Sequence, residues 1–297
     1  MSPASTPLLE RWGAPARRGP SPRTLPALLG VPLLLWQLVF FVGPLLFLVV
    51  VTFWKVRAFR LQPAFSLDNW SRILGASNFH QATLYTLGVA VTATVLALLI
   101  AFPAAYTIAL RLPARWRNAM VAALLVPVFS SYILRIYAWQ IALSPEGLIN
   151  SLFGKLGFEP LPLLGGAFSL HVGLLTLSLP IVVLILTFAL SGVDGTLVEA
   201  AENMGCSRWK VITRVLLPAI RPALVLAAST TFVLAFGDYV SPLFMTGSNP
   251  PTLSILIVDT VKSGSQWPRA SVIGVSMLVM LGAALVITRL AGRGRGK

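Results

Sequence analysis

The sequence predicts an all-α integral membrane protein with six transmembrane helices. Composition, the number of long apolar runs and the distribution of basic residues carry that prediction. The 297 residues are 56% hydrophobic and only 11% charged, with a mean hydropathy of +0.83. A soluble domain carries about a quarter charged residues.

A hydrocarbon core about 30 Å thick needs about 20 apolar helical residues to cross it. The first run lies in the charge-free stretch 24–54 and the second in 81–110, closed by Arg111. The third, 120–142, is apolar except for Arg135, and the fourth, 168–190, has no charged residue. The fifth, 222–245, contains Asp238, and the sixth, 271–290, ends at Arg289 and a glycine-arginine tail. Basic residues are retained on the cytoplasmic side of a membrane. With six spans and both termini inside, fifteen of the 23 Lys and Arg residues fall on that side. Lys55, Arg57, Arg60, Arg72, Lys155, Lys262 and Arg269 fall outside, so the first outer loop is an exception to the bias.

The net charge of +14 is spread over short connections. It fits topology and contact with the lipid bilayer, not nucleic acid. Residues 1–27, rich in Pro, Ser and Arg, are expected to be a disordered cytoplasmic extension kept in the mature chain; 28–290 form the transmembrane domain and 291–297 a basic cytoplasmic tail. Cys206 has no thiol partner, and neither His80 nor His171 has a second ligand at metal spacing. No metal or cofactor site is expected. Asn69, Trp70 and Ser71 match a glycosylation acceptor by chance. Pro103, Pro127, Pro180 and the Gly43–Pro44 pair fit kinked, packed spans.

The connection 191–221 differs from the rest. Its pattern is two short helices hinged at Gly205. Thr196 is placed to cap the first, with Glu199 at capping-box distance, and Gly205 supplies the left-handed conformation that a helix end favours. In the second helix Trp209, Ile212 and Leu216 are expected on one apolar face. Ala200 and Ala201 leave the first helix with little side-chain bulk, and Pro218 and Pro222 mark the turn into span five. Such a segment is a docking element for another protein, or an amphipathic loop at the membrane surface.

The residues Glu199, Ala200, Ala201 and Gly205, followed by Val215, Leu216, Leu217 and Pro218 at the same spacing, resemble the EAA signature of type I binding-protein-dependent ABC importer permeases. Val215 departs from the usual isoleucine but keeps a β-branched apolar side chain. The resemblance implies that this loop carries a cytoplasmic coupling helix seated in a groove of an ATPase subunit. Glu199 would make polar contact there, the alanines would permit close packing, and Gly205 would set the angle between the helices. ATP and magnesium would belong to a separate ATPase dimer, since the chain has no phosphate-binding loop of its own. A second permease subunit and an extracellular or periplasmic binding protein are the other implied partners, and a bacterial inner membrane the implied location.

The stretches from Val126 to Trp139 and from Phe236 to Pro242 are similar to the spermidine/putrescine subfamily, and the likeness covers about 28–290. Relatives that carry ferric iron or other organic solutes share parts of it. Arg135 and Asp238 are costly inside a span, so each should face protein or water. A structural ion pair, or an Arg135 that snorkels outward, accounts for them; so does a translocation path lined by Arg135, Tyr137, Trp139, Asp238 and Tyr239 that suits an organic cation. A secondary transporter would need ion relays for which only Asp238 and Asp259 are available. A membrane-embedded enzyme would need convergent catalytic groups, and none of its usual motifs occurs.

Overall fold

The computed structural model describes residues 24–293, with side chains from 30 to 290. Most of the extension 1–27, and residues 294–297, lie outside the described residues. The chain divides into two units, Met1–Val50 and Val51–Lys297.

The first unit holds one span. It runs as α1 (Thr24–Gln37), a π turn (Leu38–Val42) and α2 (Gly43–Val51). The π turn has a local cause. Pro44 has no amide to donate and its ring crowds the carbonyl four residues back, so the helix widens by one residue and Gly43 N–H reaches Leu38 O.

The second unit opens with a two-stranded hairpin, β1 (Lys55–Arg57) and β2 (Arg60–Gln62), in which Arg57 faces Arg60. Its turn residues Ala58 and Phe59 both have positive φ, 48° and 60°. α3 (Asp68–Leu74) follows and is tied back to the chain before the hairpin. Buried Asn69 donates its Nδ2 hydrogens to Thr52 O and Trp54 O, each at 2.8 Å, and Trp70 Nε1 donates to Thr52 Oγ1 at 3.1 Å. The Asn69 amide is thus used structurally.

α4 (Ser77–Tyr106) continues as a π segment (Thr107–Arg111). Ala90, Ala93, Ala97, Ala101 and Ala105, three or four residues apart, are all completely buried. In lipid there is little hydrophobic gain from joining two helices, so close backbone approach over small residues is what holds spans together. α4 packs in this way on α8 (Ala167–Ser191) and α12 (Arg221–Gly237), whose buried residues include Leu170, Leu174, Val182, Leu186 and Leu190, and Ala227 and Thr231.

Between α4 and α8 lie α5 (Ala114–Phe129), α6 (Tyr132–Leu143) and α7 (Leu148–Lys155). The expected continuous third span is broken at Ser130 and Ser131, which leave the helical conformation, and the two halves bend by 93°. Pro127 has no amide to give the Ala123 carbonyl, and at the helix end Ser130 Oγ donates to the Pro127 carbonyl at 3.1 Å. After α8 come α9 (Gly195–Asn203), α10 (Arg208–Val211), a π turn (Ile212–Leu216) and α11 (Leu217–Ala219), with a 75° bend into α12 at Ile220. The expected fifth span is also interrupted: α12 stops at Gly237, and α13 (Val240–Thr246) starts after Asp238 and Tyr239. α14 (Leu253–Lys262) and α15 (Trp267–Arg293) complete the chain. Among the described residues four helices are long and apolar enough to cross a membrane, and six spans result if each bent pair is one.

Candidate functional site

Two places gather the residues that sequence reading singled out. The first is the end of the bundle that carries α9. Its N-terminus is capped by Asp194, whose Oδ1 accepts the Thr196 amide at 3.0 Å. The expected cap, Thr196, lies inside the helix: Asp194 already has its carboxylate two residues before a free amide, where capping is strongest. That amide hydrogen bond holds the Asp194 carboxyl below the usual carboxylate range. The helix ends as expected. Gly205 has φ +78°, its N–H donates to Glu202 O at 2.9 Å, and Cys206 N–H donates to Ala201 O at 3.1 Å. These are the paired bonds of a left-handed helix stop.

The two alanines part company. Ala201 is only 4% exposed and packs into the chain's own core with Ala105, Ala109, Leu186, Val211 and Leu216. Ala200 and Glu199 are exposed, with Leu197 and Met204. The outward face of α9 is therefore Glu199 and Ala200; Ala201 faces inward. The second helix also differs from the expected pattern. Trp209 is 72% exposed while Leu216 is buried, because the π turn adds a residue and places Val211, Leu216 and Ile220 on the inner face. Val215 and Leu217 are half-buried and Pro218 is exposed. A cavity of about 230 Å³ lies beside α9, lined by Tyr106, Arg111, Glu199, Glu202 and Arg208 among others.

The second place is the break between α12 and α13. Asp238 Oδ1 accepts Val240 N–H at 3.0 Å, and Oδ2 accepts Ser241 N–H at 3.1 Å and the Tyr132 hydroxyl at 2.8 Å. The Tyr132 hydroxyl also meets Ser241 Oγ. Arg135 lies over the Tyr132 ring at 5.8 Å and donates to Thr176 O at 2.6 Å. Arg135 and Asp238 therefore do not pair with each other; Tyr132 links them. Three donors satisfy the carboxylate, and the Tyr132 hydroxyl among them anchors the break in span five to α6. Gly173 on α8 makes this possible, since a Cβ there would lie 2.7 Å from Ser241 Oγ and 3.2 Å from Ile136 Cδ1. Tyr137 packs on Phe244 with ring centres 4.8 Å apart. Tyr137 and Trp139 are exposed and Tyr239 is half-buried. Tyr132, Ser241 and Gly173 escaped the sequence reading, although Ser241 stands at capping distance from Asp238. His171 is held by Thr92 Oγ1 at 2.8 Å and Ala167 O at 2.7 Å, a structural role.

The family described as "Binding-protein-dependent transport system inner membrane component" matches residues 111–293. The chain belongs to this family. It is a transmembrane permease subunit of an ABC importer. The matched segment takes in both the α9 loop and the Tyr132–Asp238 cluster. The chain is 28% identical over 232 residues to the spermidine/putrescine transport system permease protein PotB of Escherichia coli (strain K12), covering 77% of this chain and 83% of that one. It is 26% identical over 250 residues to the permease protein PotC of Haemophilus influenzae, covering 84% and 91%. Among solved structures, a bacterial ABC transporter involved in the import of the acidic polysaccharide alginate aligns with a TM-score of 0.72 at 20% identity, over 93% of this chain and 96% of that one. The same kind of transporter in complex with an alginate-bound periplasmic protein aligns with a TM-score of 0.71 at 17% identity, over 91% and 94%. These structural likenesses concern the fold of the permease.

Proposed function

We propose that this permease imports a polyamine or similar organic cation, delivered by a periplasmic binding protein, and is driven through α9 by a separate ATPase dimer that holds the ATP and magnesium. A second, similar permease completes the path. The observation that carries the reading is the outward face of α9: Glu199 and Ala200 are exposed next to a helix stop whose angle is set by Gly205 at φ +78°. A small side chain beside a carboxylate lets a partner helix or groove approach the backbone while a cation or amide pairs with Glu199. The rest of α9 is anchored through Ala201 to the core formed by α4 and α8, so a push on Ala200 is transmitted to the spans. Closure of the ATPase dimer opens the spans outward, and hydrolysis resets them. On this reading α9 and both termini lie in the cytoplasm, as the distribution of basic residues suggests.

The cargo is supported by the names of the relatives PotB and PotC and by the exposed rings of Tyr137 and Trp139, whose faces attract organic cations. Asp238 acts here as a positioning residue, because its oxygens are already occupied by its own chain.

The test uses single cysteines and reconstituted transport. In membranes holding the assembled importer, Ala200→Cys should crosslink to the ATPase and Ala201→Cys should not. Efficient capture at position 201, or none at 200, rejects the docking face. In proteoliposomes, spermidine or putrescine uptake should require ATP, the ATPase and the binding protein; uptake supported by a proton gradient alone rejects the importer mechanism.

A further inference from the structure

We propose that the hairpin, α3 and the start of α15 form a binding site for the phosphate of an anionic phospholipid headgroup. The three elements surround a cavity of about 160 Å³ lined by Lys55, Arg57, Asp68, Arg72, Gln266 and Arg269 among others. Four cations thus face one carboxylate. Lys55 and Asp68 pair at 3.1 Å, and the Asp68 carboxyl is held below its usual range by the Ser66 hydroxyl and by Lys55. That match leaves Arg57, Arg72 and Arg269 without a carboxylate at ion-pair distance among the described residues.

Arg269 is the most telling of the three. Its Nε is buried and has no hydrogen-bond partner. It sits in the first turn of a 27-residue helix that has no acidic residue there, where the helix dipole is positive and disfavours a cation. An anion in the cavity satisfies the Nε donor and offsets both sources of repulsion. The site is also built in advance, because the two Asn69 hydrogen bonds lock α3 against the chain leading into β1. Conversely, the basic first loop runs against the usual retention of Lys and Arg on the cytoplasmic side; gathering Lys55, Arg57 and Arg72 with Arg269 gives that exception a use.

A lipid headgroup fits better than a soluble anion because the segments that carry the cations also carry exposed rings. Phe59 is 78%, Phe65 87% and Trp267 52% exposed. Aromatic side chains next to basic ones are the composition of a membrane interface, with rings at headgroup depth and cations on phosphate.

The test counts bound lipid by native mass spectrometry on the assembled importer in detergent. Phosphatidylglycerol or phosphatidylcholine with the same acyl chains is added, and inorganic phosphate is titrated in parallel. Phosphatidylglycerol should bind saturably and in preference to phosphatidylcholine. Arg57 and Arg72 are exposed, so the double variant Arg57→Gln, Arg72→Gln should fold and should weaken that binding about twenty-five-fold, about fivefold for each cation. Equal binding of the two lipids, or unchanged phosphatidylglycerol binding in the variant, overturns the proposal. So does inorganic phosphate binding as tightly as the lipid, which marks a soluble-anion site. Loss of binding-protein association with lipid binding intact also overturns it, and marks a protein-docking face.

Discussion

Replacing Gly205 separates a backbone requirement from a contact requirement at the loop proposed to dock the ATPase. A Cβ at this position meets nothing within 4 Å in the chain, yet the residue has φ +78°. The cost of a side chain is therefore conformational. An ordinary L-residue in the left-handed region loses about 1–2 kcal/mol, a factor of about 5–30 in the population of the turn. Asparagine tolerates the region better, and a β-branched residue is a rare outlier there. The expected order is glycine, then Asn, then Ala, with Val last. The assay is polyamine uptake per ATP hydrolysed in proteoliposomes, with subunit content checked by immunoblot. Gly205→Asn should keep most of the coupling, Gly205→Ala should lose about 5–30-fold in docking of the ATPase, and Gly205→Val should hydrolyse ATP without uptake. Equal losses for Asn, Ala and Val would refute the argument, because they would show that bulk against the ATPase matters and the angle does not. Normal coupling in the valine variant would remove the hinge role altogether.

Other expectations concern the two sites. Tyr132→Phe removes a donor to a half-buried carboxylate and should destabilise the permease by about 1.5–3 kcal/mol, visible as a lower thermal unfolding temperature in detergent; an unchanged temperature would deny Asp238 its anchoring role. Gly173→Ala should cost about 1–3 kcal/mol through overpacking, and the loss should shrink in a Ser241→Gly background, since that change removes the two nearest atoms; a strictly additive pair would show that the close approach is not what constrains α13. For Asp194, the carboxyl lies lower in the folded chain than in the unfolded one, where it is about 3.9. Its cap is then fully present above that value and is lost as pH falls through the folded one. The protection of the α9 amides against hydrogen exchange, relative to the intrinsic rate at each pH, should fall below about pH 4 in the native chain, and Asp194→Asn should abolish that dependence. Acid-induced opening that persists in Asp194→Asn would assign it to another group.

Span count and helix class were legible because they depend on solvent. A chain in hydrocarbon must satisfy its backbone within each segment, so apolar runs of sufficient length become helices whatever they pack against. The hinge at Gly205 was legible for a similar reason, since its backbone conformation is one that only a few residue types adopt readily. The breaks at Ser130–Ser131 and Asp238–Tyr239 were not, because hydropathy averages over them; each is held by side chains from elsewhere in the chain or by a single carbonyl. The inward turn of Ala201 was hidden as well. Two adjacent alanines look alike until the helix is set against α4 and α8, and the π turn at Ile212–Leu216 shifts the expected Trp209 face by a residue.

Local physics, then, determined from the amino-acid order which segments are apolar enough to form spanning helices and which loop carries the family signature. Tertiary structure alone decided which faces turn inward and how Arg135, Tyr132 and Asp238 share their hydrogen bonds. It also brought the distant Arg269 beside Lys55, Arg57 and Arg72 around one cavity. Those choices depend on contacts between residues far apart in the chain, whose distances no single segment specifies.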